Sequence, residues 1–464
     1  MKKIALLLTI VFVIGIFAGC GAKQASNDGT VTISVGNWPA KEGTALDVKK
    51  AQKEAFEKAY PNIKIEPDTW SFDLQTYYPK ATAGLIPTTY NFYFTEGEKI
   101  IRGGYALEMT DIMNKLGYTE MLNPKLIDIV GKDGKIYFIP ENVYSQGIVY
   151  NVDLFEKAGL MSENGEPQIP QTWDELVETA KTIKEKTGAA GFAIPTLNNA
   201  GGWLFTSIAW SFGVDFMEQN EDGSWKATFN TEEAAQALQF IKDLKWKHDI
   251  FPANTLIDNG EYCKLYATGQ LAMMIGSPGT AESVVQYEMD PNHFGIFTVP
   301  KGPKRRVALV GGKINSVSYK STPEQLDAAF KWYEYTGISP FLTDAIKEAQ
   351  QSEIDVAKSE GRAIGMKSIQ IWNEKSEVTK NYNKLVEENA NVNINHFKAY
   401  NDDLTAGNYE LQAEEPVCCQ DLYGILDKCL QKVLSDKNAD CRAIVNEAAA
   451  EFQREYLDNY EANK

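Results

Sequence analysis

The stretch that decides the fold is residues 139–160, which read IPENVYSQGIVYNVDLFEKAGL. Its centre, residues 148–150, consists of β-branched and aromatic side chains and predicts a strand. Asn151 ends that strand, Asp153 can cap the helix that follows, and Gly159 can supply the left-handed residue at the end of that helix. The stretch therefore predicts a strand, a turn and a short helix.

A second helix start follows at residues 170–176, which read PQTWDEL. Thr172 is placed to accept a hydrogen bond from the backbone N–H of Glu175, and Glu175 is placed to reach back to the start of the helix. This spacing predicts a capping box. The apolar residues that follow share one helical face, namely Trp173, Leu176, Val177, Ala180 and Ile183.

The two patterns together carry a resemblance. A strand ending in Tyr-Asn, followed by DLF, KAGL and then PxTWDEL, is similar to the centre of the family 1 extracellular solute-binding proteins, the sugar-capturing lipoproteins of bacterial ABC importers. A second run, YATGQLAMMIGS at residues 266–277, resembles the helix-to-strand signature of the same family. The likeness covers nearly the whole chain and is weakest at residues 341–415.

The resemblance implies an α/β, two-lobed fold of the periplasmic-binding-protein type (type II). Each lobe is expected to be a mostly parallel sheet flanked by helices, with a ligand cleft at the hinge. Residues 141–145 correspond to the first crossing between the lobes and the floor of the cleft. Residues 294–300 correspond to the second crossing, and residues 311–315 to a Gly-Gly turn at the cleft.

The beginning of the chain predicts export and lipid anchoring. Two lysines precede an apolar run at residues 4–17, which is shorter than the roughly 20 residues that span a bilayer but suits a signal peptide. The run leads into FAGC at residues 17–20, which resembles a lipobox. Cleavage after a signal peptide would leave Cys20 lipidated, so we expect the protein at the cell membrane, lipid-anchored on the extracytoplasmic side.

The predicted organisation has four parts. They are a lipoprotein signal peptide at 1–19, a flexible tether at 20–29, lobe I at 30–140 plus 299–340, and lobe II at 141–298 plus 341–464 with the C-terminal helices.

The net charge and the cysteine spacing disfavour several classes of binding partner and cofactor. The formal net charge of −17 disfavours nucleic acid and anionic lipid headgroups. Five cysteines follow Cys20 without a CxxC pair or a neighbouring histidine, so we expect no metal and no cofactor. Packing within helices is the favoured role of these thiols, and a disulfide is the alternative. We expect a monomer.

Sugars present apolar faces and rings of hydroxyl groups, so a sugar site needs flat aromatic rings together with planar hydrogen-bonding groups. A carboxylate suits two neighbouring hydroxyls at once. The aromatic candidates lie near predicted strand ends or at the hinge, and they are Trp38, Trp70, Tyr93, Tyr144, Trp203 and Trp372. The polar candidates are Glu96, Glu141, Asn142, Ser277 and the amides of Gly311 and Gly312.

The leading prediction is a solute-binding lipoprotein that captures a carbohydrate, most simply an oligosaccharide, by hinge closure and delivers it to the permease subunits of an ABC importer. A rival with the same fold binds a polyamine, a peptide or a metal complex, and needs several carboxylates converging with aromatic rings. A rival of another class is a secreted glycoside hydrolase with Glu96 and Glu141 as its carboxylate pair. No GxSxG, HExxH, P-loop or dinucleotide-binding motif is present, and we therefore expect no enzyme.

Overall fold

The computed structural model describes residues 29–462. The predicted signal peptide, the lipidation site Cys20 and all but the last residue of the predicted tether lie outside the described residues. Within residues 29–462, no helix is both long and apolar enough to cross a membrane.

Fourteen strands are found in the part of the chain that the structure describes. They are β1 (Val31–Val35), β2 (Ile63–Pro67), β3 (Thr89–Tyr93), β4 (Gly131–Lys132), β5 (Lys135–Ile136), β6 (Ile139–Ser145), β7 (Gly147–Asn151), β8 (Ala190–Ala193), β9 (Met217–Gln219), β10 (Trp225–Ala227), β11 (Leu271–Gly276), β12 (Phe294–Thr298), β13 (Val307–Val317) and β14 (Glu410–Ala413).

The α-helices between them vary from a single turn to 17 residues. They are α1 (Thr44–Ala59), α2 (Leu74–Ala83), α3 (Gly97–Arg102), α4 (Thr110–Lys115), α5 (Tyr118–Met121), α6 (Ile127–Val130), α7 (Val152–Ala158), α8 (Trp173–Thr187), α9 (Ala200–Ser211), α10 (Glu232–Trp246), α11 (Asn259–Ala267), α12 (Thr280–Ser283), α13 (Pro323–Tyr335), α14 (Asp344–Ser359), α15 (Glu377–Glu388), α16 (Lys398–Ala406), α17 (Cys419–Ser435), α18 (Cys441–Phe452) and α19 (Asp458–Ala462).

The first lobe is built on a six-stranded sheet with the order β14-β13-β3-β1-β2, in which β6 also pairs with β13. Strands β1, β2 and β3 run parallel, and each connection between consecutive strands contains a helix, α1 and then α2. Strand β13 runs antiparallel to β3 and β6. The second lobe is built on a four-stranded sheet with the order β12-β7-β11-β8.

The first sheet is mostly parallel, as expected, with antiparallel pairing only where β13 meets β3 and β6, whereas the second sheet is mostly antiparallel. In the second lobe β7 runs antiparallel to β11 and to β12, and only β8 is parallel to β11. Strands β7 and β13 each follow a passage of the chain from one lobe to the other. Strand β7 runs against both of its neighbours, and β13 runs against β3 and β6 but parallel to β14. The two-lobed α/β architecture itself agrees with the expectation.

Each sheet has its own hydrophobic core. Phe56, Tyr77 and Phe138 are fully buried in the core of the first lobe, and Tyr150 and Trp210 are fully buried in the core of the second. Burial of one large apolar side chain contributes about 1.5–3 kcal/mol, so the cores dominate the stability of the lobes. A third, small cluster joins α14 and α15 through Ile354, Ile364 and Val386.

The local structure of residues 147–159 follows the sequence pattern except at the helix cap. Strand β7, helix α7 and the left-handed Gly159, with φ of +73°, are where the pattern places them. The cap is Asn151, whose Oδ1 accepts a hydrogen bond from Leu154 N at 3.1 Å. The expectation for Asp153 is therefore wrong, because its carboxylate instead accepts a hydrogen bond from Lys157 Nζ at 2.7 Å.

The start of α8 differs in a similar way from a capping box. Thr172 Oγ1 accepts a hydrogen bond from Glu175 N at 3.2 Å, as predicted. The Glu175 carboxylate reaches one residue further and accepts a hydrogen bond from Gln171 N at 2.8 Å. The helix start is still stabilised by two side chains, since each satisfies one backbone N–H.

The cysteines pack in the second lobe. Cys419 and Cys429 are buried on α17, Cys441 on α18 and Cys263 on α11. Within residues 29–462 no two cysteines form a disulfide. Helix packing, the favoured prediction, is thereby confirmed for these four thiols.

Candidate functional site

Two passages of the chain between the lobes define the hinge. Strand β6 belongs to the first sheet and β7 to the second, and they are separated only by the buried Gln146. The return passage leads from β12 in the second sheet to β13 in the first. The side chains of β6 and the first half of β13 are therefore held where the two lobes meet.

An irregularity in the β6–β13 pairing sets the position of Glu141. Lys313 is opposite Asn142, whereas Ile314 is opposite Pro140, so Glu141 is the extra residue of a β-bulge. Bulges commonly re-aim a side chain next to functional sites. The Glu141 carboxylate accepts a hydrogen bond from Asn91 Nδ2 at 2.6 Å. It is thereby oriented by a side chain of β3, on the same lobe.

The bulge is joined to the loop after β1. The backbone N–H of Asn91 donates to Asn37 Oδ1 at 3.2 Å. Hydrogen bonds therefore link Asn37, Asn91 and Glu141 in one polar network. Lys49 of α1 lies near this polar network. Burial lowers the pKa of Lys49, and the negative charge of Glu141 opposes that effect. The negative charge at the hinge therefore has a cation nearby.

Two glycines allow β13 to lie close against β6. A Cβ at Gly311 would be 2.5 Å from the Tyr144 hydroxyl, and a Cβ at Gly312 would be 2.0 Å from the carbonyl oxygen of Asn142. The expected Gly-Gly turn is wrong, because both residues lie inside β13. Their role is the close approach of two strands. Asn142 Oδ1 also accepts a hydrogen bond from Lys313 N at 3.1 Å.

Aromatic residues lie on both sides of the hinge. Tyr144 and Trp203 contact edge to face with ring centroids 6.5 Å apart, which joins β6 to helix α9 of the second lobe. In the first lobe Phe72 contacts both Trp70 and Tyr93, each at 6.5 Å. Tyr93 is 55% exposed, so this aromatic cluster is accessible to a ligand at Tyr93.

Two of the predicted tryptophans are largely covered. Trp38 is 6% exposed, and its backbone N–H donates to Asp68 O at 2.9 Å, which places it beside the loop that carries Trp70. Trp372 is 4% exposed and packs edge to face against Tyr118 with centroids 5.5 Å apart. Their rings offer a ligand little area in this conformation.

A cavity of about 540 Å³ opens along the edge of β6. Its walls come from 141–144, from 278–282 at the end of β11, and from 362–372, together with side chains of α14 and α15. It contains four of the predicted residues, Glu141, Asn142, Tyr144 and Trp372, and Ser277 directly precedes its wall. A volume between about 300 and 1,000 Å³ is typical of small-molecule sites.

A larger depression of about 640 Å³ lies between α8 and α10. It is lined by Asp174, Glu178, Phe240, Asp243 and His248 among others, all from the second lobe. None of the predicted site residues borders it. We therefore place the candidate site in the hinge cavity, which has walls from both lobes.

Sequence reasoning missed several polar residues of the cavity. Arg362 lies between Glu360, with 2.9 Å from its Nε to a carboxylate oxygen, and Glu282, with 3.7 Å from its Nη1. Tyr382 of α15 donates a hydrogen bond to Glu353 Oε1 of α14 at 3.2 Å. These residues come from the part of the chain where the resemblance is weakest, and no local pattern marks them.

Glu96 lies apart from this cavity, in a second polar region where the lobes meet. Burial raises the pKa of Glu96, Lys99 opposes that effect and Asp421 adds to it. Burial raises the pKa of Glu414 to about 7, and the Tyr423 hydroxyl donates to its Oε1 at 2.9 Å. The charge of Glu96 also raises the pKa of Glu414, so the two carboxylates interact electrostatically, and Asp421 of α17 interacts with Glu96 in the same way. Glu414 and Asp421 were not predicted from the sequence.

No group of three or more His, Cys, Asp or Glu side chains arranged to hold a metal ion is found among residues 29–462. The hinge cavity therefore offers hydrogen-bonding groups, a few charges and apolar walls. Such a set binds a solute by contact and complementarity.

Comparison with known proteins adds to this geometry. A model of the family described as "Bacterial extracellular solute-binding protein" matches residues 40–336. A putative binding protein of Brucella abortus is 28% identical over 331 residues, which are 68% of this chain and 74% of that protein. An arabinooligosaccharide-binding protein of Halalkalibacterium halodurans is 32% identical over 123 residues, 26% of this chain and 25% of the relative.

Solved structures show the same fold. Maltose-bound MalE3 of T. maritima superposes with a TM-score of 0.63 and 23% identity, covering 92% of this chain and 100% of that one. The cyclic alpha-maltosyl-1,6-maltose binding protein from Arthrobacter globiformis superposes with a TM-score of 0.65 and 22% identity, covering 91% and 98%. The two-lobed solute-binding fold expected from the sequence is confirmed.

Proposed function

The chain belongs to the family of bacterial extracellular solute-binding proteins, and from that premise we propose that it captures a carbohydrate, an oligosaccharide, and delivers it to the permease of an ABC importer. The family consists of binding proteins and the chain is not an enzyme, so a glycoside hydrolase with Glu96 and Glu141 is set aside. Capture proceeds by closure of the two lobes around the solute.

The observation that carries the proposal is the hinge cavity with walls from both lobes. A ligand favours the closed form only through contacts that it makes better in that form. A solute in this cavity touches 141–144 on one side and 278–282 on the other, so it gains contacts when the lobes approach.

The chemistry of the cavity suits hydroxyl groups. The Glu141 carboxylate is oriented by Asn91 and accepts hydrogen bonds, and the exposed Asn142 amide both donates and accepts. Tyr144 lines the cavity and supplies ring area for the apolar face of a sugar, and Trp203 packs edge to face against it. Of the remaining predicted contacts we propose Ser277 and Trp372 at this cavity, and Trp38, Trp70, Tyr93, Glu96, Gly311 and Gly312 elsewhere along the cleft between the lobes.

The names of similar proteins support a sugar as the ligand and suggest one other class of solute. Two similar proteins carry names that refer to arabinooligosaccharide and maltose. The Agrobacterium fabrum relative, 25% identical over 68% of this chain and 76% of its own length, is named for sn-glycerol-3-phosphate. Polyol phosphates such as sn-glycerol-3-phosphate therefore belong in any ligand screen.

We propose that the lipid on Cys20 holds the protein at the membrane, with the tether at residues 20–29 letting the lobes reach a permease. The acidic charge of the chain makes attraction to anionic headgroups a poor alternative. Radiolabelled palmitate should be incorporated by the full chain and lost in Cys20→Ala. Unchanged labelling of that variant would remove the anchor from the proposal.

The function is tested by thermal unfolding with a panel of maltotriose, arabinotriose, sn-glycerol-3-phosphate and spermidine, followed by calorimetry on any hit. A ligand at 100 times its Kd stabilises by about 2.7 kcal/mol, which a melting curve resolves. We expect stabilisation by an oligosaccharide, and at least tenfold weaker binding in Asn142→Ala. The matched control is Asn438→Ala, an exposed asparagine after α17 that does not border the cavity.

A polyamine is the second candidate, since Glu96, Glu414 and Asp421 converge where the lobes meet. Burial raises the pKa of all three, which reduces their negative charge near neutral pH and weakens this reading. Stabilisation by spermidine alone, with no response to any sugar, would replace the carbohydrate proposal with this one.

A further inference from the structure

Side chains of helix α3 of the first lobe contact side chains of the β9–β10 hairpin of the second lobe. Arg102, the last residue of α3, donates from Nη2 to Gln219 Oε1 at 2.7 Å. Its guanidinium carbon also lies 5.4 Å from the ring centroid of Trp225 on the neighbouring strand. The partners Arg102 and Gln219 are 117 residues apart in the chain.

Arg102 is held firmly on the first lobe. Ile100 of the same short helix is fully buried in the core of that lobe. Arg102 Nε donates to Glu98 Oε1, and Lys132 Nζ donates to the same carboxylate oxygen. The guanidinium is therefore oriented before it meets the other lobe, which reduces the entropy lost in that contact.

The hairpin is held equally firmly on the second lobe. Ala227 N donates to Gln453 Oε1 at 2.7 Å, and Gln453 Nε2 donates to Trp225 O at 3.1 Å. Trp225 is 7% exposed and belongs to the core of the second lobe. Gln219 Nε2 donates to Gly223 O at 2.8 Å within the hairpin turn, which leaves its oxygen for Arg102.

A neighbouring residue repeats the pattern. Lys99 lies three positions before Arg102, hence on the same face of α3. Its Nζ is 4.9 Å from the ring centroid of Tyr78 in the first lobe and 5.7 Å from that of Tyr460 in the last helix. One helical face thus presents two cations to aromatic rings of the C-terminal part and the hairpin.

We infer that the contact of Arg102 with Gln219 and Trp225, which we name the clasp, favours the lobe arrangement described here independently of any ligand; we call this arrangement, in which α3 and the hairpin touch, the closed form. The clasp joins the lobes at a place where the chain does not cross, so it breaks when they separate. This inference rests on the proposed function, in which the two lobes close about the hinge. Any solute that binds the closed form then binds more tightly by the factor by which the clasp raises the closed population.

The test measures the opening of the full chain without ligand. Spin labels at Lys50→Cys on α1 and Lys437→Cys after α17, both exposed, report the lobe separation as a distance distribution. A sample without the engineered cysteines gives the background from native thiols. In Arg102→Ala the ratio of short to long distances should fall about tenfold, since a charge-assisted hydrogen bond and a cation–π contact are lost.

A variant that is expected to increase the closed population distinguishes loss of the clasp from misfolding. Gln219→Glu gives Arg102 a carboxylate partner but loses the hydrogen bond from Gln219 Nε2 to Gly223 O, a bond within the hairpin that is lost equally in both lobe arrangements. The short distance should therefore gain population, and the gain should vanish when Arg102→Ala is added. The matched control is Arg454→Ala, an exposed arginine of the second lobe paired with its neighbour Glu455 at 2.7 Å. It should leave the distribution unchanged. The clasp is wrong if Arg102→Ala and Gln219→Glu both give the wild-type distribution.

Failure of the clasp and failure of the carbohydrate proposal give different results. If none of the sugars shortens the wild-type distance while Arg102→Ala lengthens it, the clasp stands and the ligand assignment falls. If maltotriose closes wild type and Arg102→Ala equally from the same starting distribution, the ligand assignment stands and the clasp falls.

Discussion

The hinge and the clasp both join the lobes, but they do so by different physics. At the hinge the chain itself crosses, and β6 and β13 are paired from residue 139 to residue 145 with two glycines at their closest approach. At the clasp one arginine contacts one amide and one ring. The hinge is therefore part of the folded structure, whereas the clasp can break without unfolding. Changes at the hinge should lower the free energy of unfolding, and changes at the clasp should alter only the lobe equilibrium.

Gly312→Ala should have the largest effect. The new Cβ would be 2.0 Å from Asn142 O, a backbone atom that cannot move without disturbing the β6–β13 pairing. We expect the free energy of unfolding to fall by about 3 kcal/mol or more, measured by urea denaturation. Gly279→Ala is the control, because its Cβ would meet nothing closer than 3.6 Å. A near-wild-type midpoint for Gly312→Ala would show that the strands are not packed as tightly as this.

Asp403→Asn should come second. Asp403 accepts hydrogen bonds from Thr298 Oγ1 and from Arg306 Nη2, the latter at 2.7 Å, and so ties α16 to the return passage of the hinge. Both side chains of the ion pair are less than one-fifth exposed, so removing the negative charge leaves Arg306 without its partner. We expect a loss of about 2–4 kcal/mol in urea denaturation.

The same pair predicts a dependence on pH. Burial opposes the charge on Asp403, but its hydrogen bonds from Thr298, Asn408 and Arg306 and the charge of Arg306 hold its pKa below the usual value. The stability that it contributes is therefore present above that usual value and is lost as the pH falls through the lowered one. Asp402→Asn is the matched control, since Asp402 pairs with Lys398 in an exposed position and should change stability by less than about 1 kcal/mol.

Glu415 should have the third-largest effect. Its contribution to stability depends on pH in the opposite direction to that of Asp403. Burial raises the pKa of this carboxyl to about 7, and Trp210 Nε1 donates to its Oε1 at 3.1 Å. Because the raised pKa favours the protonated form in the folded state, stability is highest below the usual carboxyl value and is lost as the pH rises through about 7. Between pH 5 and pH 8.5 the free energy of unfolding should fall by roughly 2 kcal/mol from this group.

Glu415→Gln should flatten that profile while keeping an acceptor for Trp210. Glu410→Gln, an exposed residue of β14 that pairs with Arg305 at 3.4 Å, is the matched control and should leave the pH profile unchanged. Identical slopes for wild type and Glu415→Gln in urea titrations at several pH values would show that Glu415 is charged throughout.

The contrast between hinge and clasp also explains what the sequence could predict. The strand, turn and helix at residues 147–159 follow from local patterns, since neighbours in the chain determine them. The helix caps are misplaced by one or two residues: Asn151 caps α7 in place of Asp153, and at the start of α8 Glu175 reaches Gln171 in place of Thr172. Backbone donors a residue apart offer similar partners to a short side chain, so the pattern alone does not decide between them.

The clasp and the buried carboxylates could not be predicted in this way. Arg102 and Gln219 are 117 residues apart, and each lies in sequence that is typical of an exposed helix end or a hairpin. Glu414 and Asp421 become notable only because the fold brings them near Glu96. The mixed direction of the sheets has the same origin, since it depends on how the chain returns between lobes.

Glu98→Gln should have the smallest effect and the most informative one. Glu98 touches neither Gln219 nor Trp225 in the described contacts, and acts only by orienting Arg102. Because its side chain is 28% exposed, the free energy of unfolding should change by less than about 1 kcal/mol. The short-to-long distance ratio should fall by about two- to threefold, less than in Arg102→Ala. In the Arg102→Ala background Glu98→Gln should do nothing further, because the side chain that it orients is gone. An equal shift in both backgrounds would mean that Glu98 stabilises the closed form through Lys132 or the helix itself, and that Arg102 needs no support to reach the other lobe.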